Sequence, residues 1–282
     1  MLPESERIKT VICSLREPGL RTAFLRDYLG QGDDPVRVSA LDELCACAAR
    51  GNPDAREAAL AVAMLLAALA EDPLLDRVGR TAAVSGLAAL GRLLRRAPEL
   101  TPRDEVPARL PEYARDRELS LGERRMLARR PTRSQFDKLL RDPHPLVITQ
   151  LLENPLVTEN DVVRLAALRP TSGDVQRAIA RTPWLCRPRV RMALIQNPNT
   201  PSAVAVPLVA ACTSHELLTL ARSNACAVIV RSTAKELLQE RELGEPEPRS
   251  PAQPSSSSPS SQLSSAPSVT LEAHCSQRGG SS

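Results

Sequence analysis

Val147-Ile148-Thr149-Gln150-Leu151-Leu152-Glu153-Asn154-Pro155 and Val190-Arg191-Met192-Ala193-Leu194-Ile195-Gln196-Asn197-Pro198 are two copies of one pattern. In each, apolar residues recur at steps of three and four, which places them on one face of a helix. Each then ends in Asn-Pro. Proline disfavours helical backbone in the residue before it and has no N–H for the preceding turn, so the dipeptide stops the helix. Val175-Gln176-Arg177-Ala178-Ile179-Ala180-Arg181-Thr182-Pro183 repeats the pattern with Thr-Pro as its stop. Met126 to Pro131 and Leu218 to Asn224 are weaker copies. The spacing between copies is not constant, so either a short helix is inserted or the register slips near Trp184.

The helix starts have a matching grammar. Ser120 and Glu123, Thr132 and Gln135, Thr158 and Asp161, Thr171 and Asp174, and Thr213 and Glu216 each place a hydroxyl just before an apolar-periodic stretch, with an acid or amide three residues on. That is the capping box, in which the two side chains satisfy backbone N–H groups at the helix start. Starts and stops together leave room for helices of roughly 9 to 13 residues, which are marginal alone in water and need neighbours to stack on.

Upstream, Val38, Leu41, Leu44, Cys45 and Ala48 give helical spacing over Val36–Arg50, and Gly51-Asn52-Pro53 ends it. The next helix, from Asp54 to about Glu71, is apolar nearly all round and is expected to be buried. A third is expected over Leu75–Arg96. Residues 1–34 read as a polar entry with one helical stretch near Thr22–Leu29. Pro98, Pro102, Pro107 and Pro111 prevent one continuous helix and mark a joint. The domain reading is an entry (1–34), a helical block (35–97), a Pro-rich joint (98–119), a repeat block (120–239) and a Ser/Pro-rich tail (240–282) expected to be disordered.

Composition agrees. The chain has 282 residues, 42 % of them apolar but only 2 % aromatic, too few for a sandwich, a barrel or a base-stacking surface. The net charge of +4 is too mild to imply nucleic acid by itself. The longest apolar run, Ala58–Ala70, is shorter than the roughly 20 residues a membrane helix needs, so no membrane insertion is expected. Seven scattered cysteines and no apolar leader at the N-terminus point to free thiols in the cytoplasm.

The Asn-Pro-x-Thr turns and Val-x-x-x-Leu-Leu-x-Asn-Pro helices resemble variant leucine-rich repeats, within the wider HEAT-like group of bacterial helical repeats. The resemblance covers about 121–239; residues 36–97 are only generically HEAT-like. It implies an all-α solenoid of short antiparallel helices. Some proteins of this type carry an iron–sulfur cluster on an N-terminal group of cysteines. Here Cys13, Cys45 and Cys47 do not supply that group, and no cofactor is expected.

Chemistry is sparse in the pattern. Cys212 and His215, with Cys226 and Cys186, have a ligand-like spacing, but these cysteines sit in apolar stretches where cysteine behaves as a small core residue. His144 and His274 have no nucleophile near them in sequence, and no Gly-rich phosphate loop exists. No catalytic residue is assigned. The expected function is a non-catalytic scaffold that binds another protein along the solenoid face. Arg129, Arg130, Trp184, Arg187 and Arg191 are the candidate contacts. Trp184, between two helix-stopping prolines, is either a core plug or an exposed anchor. Arg187 and Arg191 stand one helical turn apart and would share a face. Arg124, Arg125, Arg129, Arg130 and Arg133 form a second cluster. The alternative is sequence-independent nucleic-acid binding through an Arg-lined concave face.

Overall fold

The first N–H groups of a helix have no partner within it, so a proline fits at its first position. The first half of the chain uses this repeatedly. After α1 (Glu4–Ser14), proline opens α2 (Pro18–Gly30), α3 (Pro35–Ala49), α4 (Pro53–Ala68) and α5 (Pro73–Val84). The second half opens several of its helices on side-chain caps. Ser120, Thr158 and Thr213 form the expected capping boxes before α7 (Leu121–Arg129), α10 (Glu159–Ala167) and α14 (Ser214–Arg222). The Thr132 N–H donates to Gln135 Oε1 at 3.1 Å, before α8 (Arg133–Leu139). α9 (Pro145–Leu152) is capped by His144, whose Nδ1 accepts from the Leu146 N–H at 3.2 Å. The expected cap at Thr171 falls one residue on. Ser172 holds the extended backbone before α11 (Gly173–Ala180), and its hydroxyl accepts from the Asp174 N–H at 3.2 Å. A 3₁₀ turn (Pro183–Cys186) is inserted before α12 (Pro188–Gln196), which accounts for the uneven period near Trp184. α13 (Ser202–Val209) and α15 (Val228–Gly244) complete the order.

This computed structural model describes residues 2–31, 35–69, 72–97, 110–113 and 117–244, and no strand occurs among them. The protein is all-α. The Pro-rich joint lies largely, and the tail almost wholly, outside the described residues. Two expectations for the first half need correction. The entry contains two helices, because Ile8 and Ile12 give α1 a buried edge. The helix expected over Leu75–Arg96 is two, α5 and α6 (Ala88–Leu93). Gly86 sits at φ +65°, a left-handed conformation that ends α5, with its N–H on Ala83 O (3.3 Å) and the Leu87 N–H on Ala82 O (2.9 Å).

In the second half, alternate helices pack together: α7 on α9, α9 on α11, and α10 on α12. The asparagines of the Asn-Pro stops tie these pairs. Asn197 is buried, and its amide donates to the carbonyls of Ala166 (2.8 Å) and Leu168 (3.0 Å) at the end of α10. Its own oxygen accepts from the Asn199 N–H at 3.0 Å. Asn154 does the same one repeat earlier, reaching Arg129 O at 2.9 Å and accepting from the Leu156 N–H at 2.9 Å. The motif that stops one helix therefore also closes the carbonyl end of another.

α4 explains why its sequence is apolar all round. Leu60, Ala63, Met64 and Ala67 belong to the core of the second half. Val62, Leu65, Leu66 and Leu69 belong to a separate core shared with α1, α2 and α3. Met1–Glu245 form one compact unit around it.

Replacing Asn197 with Ala removes the donor to the half-buried Leu168 carbonyl and leaves the Ala166 carbonyl with Gln176 Nε2 alone, at 3.3 Å. It is expected to cost about 1–3 kcal/mol, read from the urea midpoint at unchanged slope. A second expectation concerns Glu123. Its carboxyl is held down to about 2, first by hydrogen bonding to Arg117 and then by Ser120. A folded pKa below the unfolded one gives a contribution that is present above the unfolded value and is lost as pH falls toward about 2. A carbon-detected NMR titration should place Glu123 near that value, and Arg117→Gln should raise it.

Candidate partner-binding groove

An open groove of about 930 Å³ runs over the start of α9, the outer face of α11 and the 3₁₀ turn. Three elements set its walls. Pro145, Leu146 and Thr149 come from α9 with Glu153 just past its end, Asp174, Arg177 and Ala178 from α11 with Arg181 just past its end, and Pro183, Trp184 and Arg187 from the turn and the residue before α12. Trp184 is half-buried against the core of the second half. Its indole N–H donates to Leu152 O, at the end of α9, at 3.3 Å. Leu146 also lines the groove and stays 47 % exposed, so the lining holds two large apolar groups in contact with water.

The charges around them are unevenly matched. Arg177 pairs with Asp174 at 2.8 Å, and Glu153 accepts from Gln150 Nε2 at 2.9 Å. Arg181 and Arg187 are exposed, and their side chains make no hydrogen bond or ion pair among the described residues. The groove thus offers an apolar centre and two unpaired guanidinium groups, with the carboxylates of Glu153 and Asp174 also in its lining. A smaller groove of about 590 Å³ is lined by Asp137, Arg141, Arg164 and Arg169. In it Arg164 pairs with Asp137 at 3.4 Å, and Arg169 donates to Gln196 O at 2.7 Å.

Of the residues singled out in sequence, Trp184 and Arg187 meet in the larger groove. Arg129 and Arg130 lie exposed at the end of α7, outside its lining, and Arg129 Nε donates to Gln150 Oε1 at 3.0 Å. Arg191 does not share a face with Arg187. Arg187 has extended backbone (φ −77°, ψ 120°) as the residue before α12, so helical spacing does not govern its direction, and Arg191 turns inward to 7 % exposure. Arg177, Arg181 and Leu146 were missed. Arg177 and the C-cap Arg181 stand a turn apart at the end of α11, a spacing visible in the sequence.

The ligand-like cysteine set also separates. Among the described residues no three His, Cys, Asp or Glu side chains come together. Cys186 Sγ meets Met64 Sδ at 3.8 Å, and Cys212 and Cys226 are buried while His215 is exposed. Burial pushes the Cys212 thiol up to about 12, although Arg191 and Arg241 beside it pull the other way. Burial does the same to Cys45, also to about 12. A thiol reagent at pH 8 is therefore expected to leave Cys45 and Cys212 unmodified in the folded protein and to modify both after denaturation, read by mass mapping.

No protein-family model matches the chain, and neither a curated protein nor a solved structure shows a match to it.

Proposed function

We propose that this protein is a scaffold of HEAT-like stacked helices that binds another protein in the groove over Trp184. The observation that carries the reading is the half-buried Trp184 flanked by two exposed arginines whose side chains form no ion pair among the described residues. A tryptophan held by one hydrogen bond and open on another side has the character of a binding hot spot. Arg181 and Arg187 favour acidic groups on the partner and disfavour basic ones. The occupant is thus a segment with an apolar anchor flanked by Asp, Glu or phosphorylated residues. Alternate-helix packing supports the solenoid reading, and the free thiols of the described cysteines fit a cytoplasmic setting.

The chain's single tryptophan makes the test direct, since its emission reads the groove alone. Full-length protein is used as bait, washed at low and then high salt. A discrete protein that survives the high-salt wash is expected, and its binding should shift the tryptophan emission. Trp184→Ala should weaken it by about 30-fold or more, and Arg181→Glu with Arg187→Glu should lower its association rate at low salt. Nucleic acid that is captured at low salt, leaves at high salt and no longer binds the double arginine variant would overturn this reading in favour of nucleic-acid binding.

A further inference from the structure

The Asp142 side chain, in the turn between α8 and α9, has no exposed surface. Arg124 of α7 reaches both of its oxygens through Nη1, at 2.7 and 2.8 Å. Each oxygen takes one further donor. Oδ1 accepts from the His144 N–H at 2.9 Å. Oδ2 accepts from the Tyr113 hydroxyl at 2.6 Å. Tyr113 belongs to the Pro-rich joint, 29 residues earlier in the chain. Its ring packs half-buried on the core of the second half, and Lys138 Nζ donates to the neighbouring Glu112 O. Burial first, and then the bond to Asp142, raise the Tyr113 phenol, so it keeps its proton and stays a donor.

The other side of this carboxylate leads to the groove. His144 gives its N–H to Asp142, and its Nδ1 accepts from the Leu146 N–H at 3.2 Å. One residue thus links the carboxylate to the first turn of α9. Pro145 and Leu146, the next two residues, form a wall of the groove. At the far end of α9, Leu152 O accepts from the Trp184 indole. A helix of eight residues moves as one piece, so whatever seats its first turn also seats its last.

We propose that Tyr113 is a latch through which the joint regulates the groove. Docked on Asp142, it fixes the start of α9 and with it the wall that carries Leu146; released, it lets that wall and the Trp184 contact shift. The inference rests on the groove over Trp184 being the binding site. Among the described residues, the polar ties of Leu110–Tyr113 to the repeat block are the Tyr113 hydroxyl and Glu112 O. Two ties and one ring make docking a local equilibrium that opens without global unfolding. Release also leaves Asp142 its bonds to Arg124 and His144, so the ion pair survives while the carboxylate loses the donor that fixes Oδ2.

The test uses the free full-length protein, with three readouts. Cleavage after the exposed Glu112 by a glutamate-specific protease, mapped by mass, reads the latch. Hydrogen exchange at Leu146 and Val147 reads the first turn of α9. The indole proton–nitrogen NMR signal of the single tryptophan reads the groove. Tyr113→Phe keeps the ring and removes only the hydroxyl. It is expected to speed cleavage after Glu112 by about tenfold or more, the effect of one hydrogen bond to a charged group. Exchange at Leu146 and Val147 should rise with it, and the indole signal should move. Tyr28→Phe, which alters the chain's other tyrosine in the separate first-half core, should change none of the three. If Tyr113→Phe does not fold, Lys138→Met, on an exposed lysine, carries the comparison. Unchanged cleavage overturns the latch. Faster cleavage with either the α9 exchange or the indole signal unmoved makes Tyr113 a local strap and overturns its hold on the groove. Failure of the groove as a binding site shows separately, as capture that Trp184→Ala leaves unchanged, and does not alter these three readouts.

Discussion

A short helix is dominated by its ends. Its last four carbonyls have no partner inside it, and in a helix of eight or nine residues that is about half of them. The architecture of the second half answers this constraint. Asn154 closes α7, Trp184 closes α9 and Asn197 closes α10, each from a later point in the chain. Thr200 bonds Leu194 O near the end of α12 at 2.7 Å. Arg241 does so twice, on Ala49 at the end of α3 and on Cys212 just past α13. Apart from the local Thr200 bond, each tie joins elements distant in sequence. Apart from Arg241 the donors are neutral, which suits a buried setting where an ion needs its own counter-charge.

Against that background α4 is the other organising element. Its alanines, Ala58, Ala59, Ala63 and Ala67, are fully buried and let neighbouring helices approach closely on opposite sides. α2, α3, α11 and α13 all pack on it. The two halves are also bridged at the surface, where Arg92 meets Glu240 at 2.7 Å and Arg95 meets Glu236 at 2.6 Å. The Arg95–Glu236 pair is exposed, and pairs of that kind add little stability alone. The seam around α4 holds the halves together mainly by burial.

Much of the fold was legible in the sequence because caps and stops are local. Hydroxyl-to-acid spacing and Asn-Pro dipeptides set helix bounds within a few residues, and all-round apolarity marked α4 as buried. α1 was missed because Pro3 offers no side-chain cap and Ile8 and Ile12 are too few to set a period. The α5–α6 break rests on the backbone of Gly86, which the apolar pattern does not register. The candidate groove was half legible. Trp184 stood out by rarity, whereas Leu146, Arg177 and Arg181 join it only through the packing of α9 on α11. Arg191 looked like a surface charge because helical spacing does not show that its predecessor by one turn lies outside the helix.

The double role of α4 has a consequence for the order in which the chain is made. The face carrying Leu60 and Met64 is covered by α11 and α13, which follow it by more than a hundred residues. During synthesis the first half emerges with that face open to water, and the Arg241 clamp on Ala49 forms only across a separation of 192 residues. A nascent chain carrying such a face is prone to wrong partners until its own later helices arrive. A ribosome stalled before α13 would therefore display an incomplete core with its apolar face uncovered.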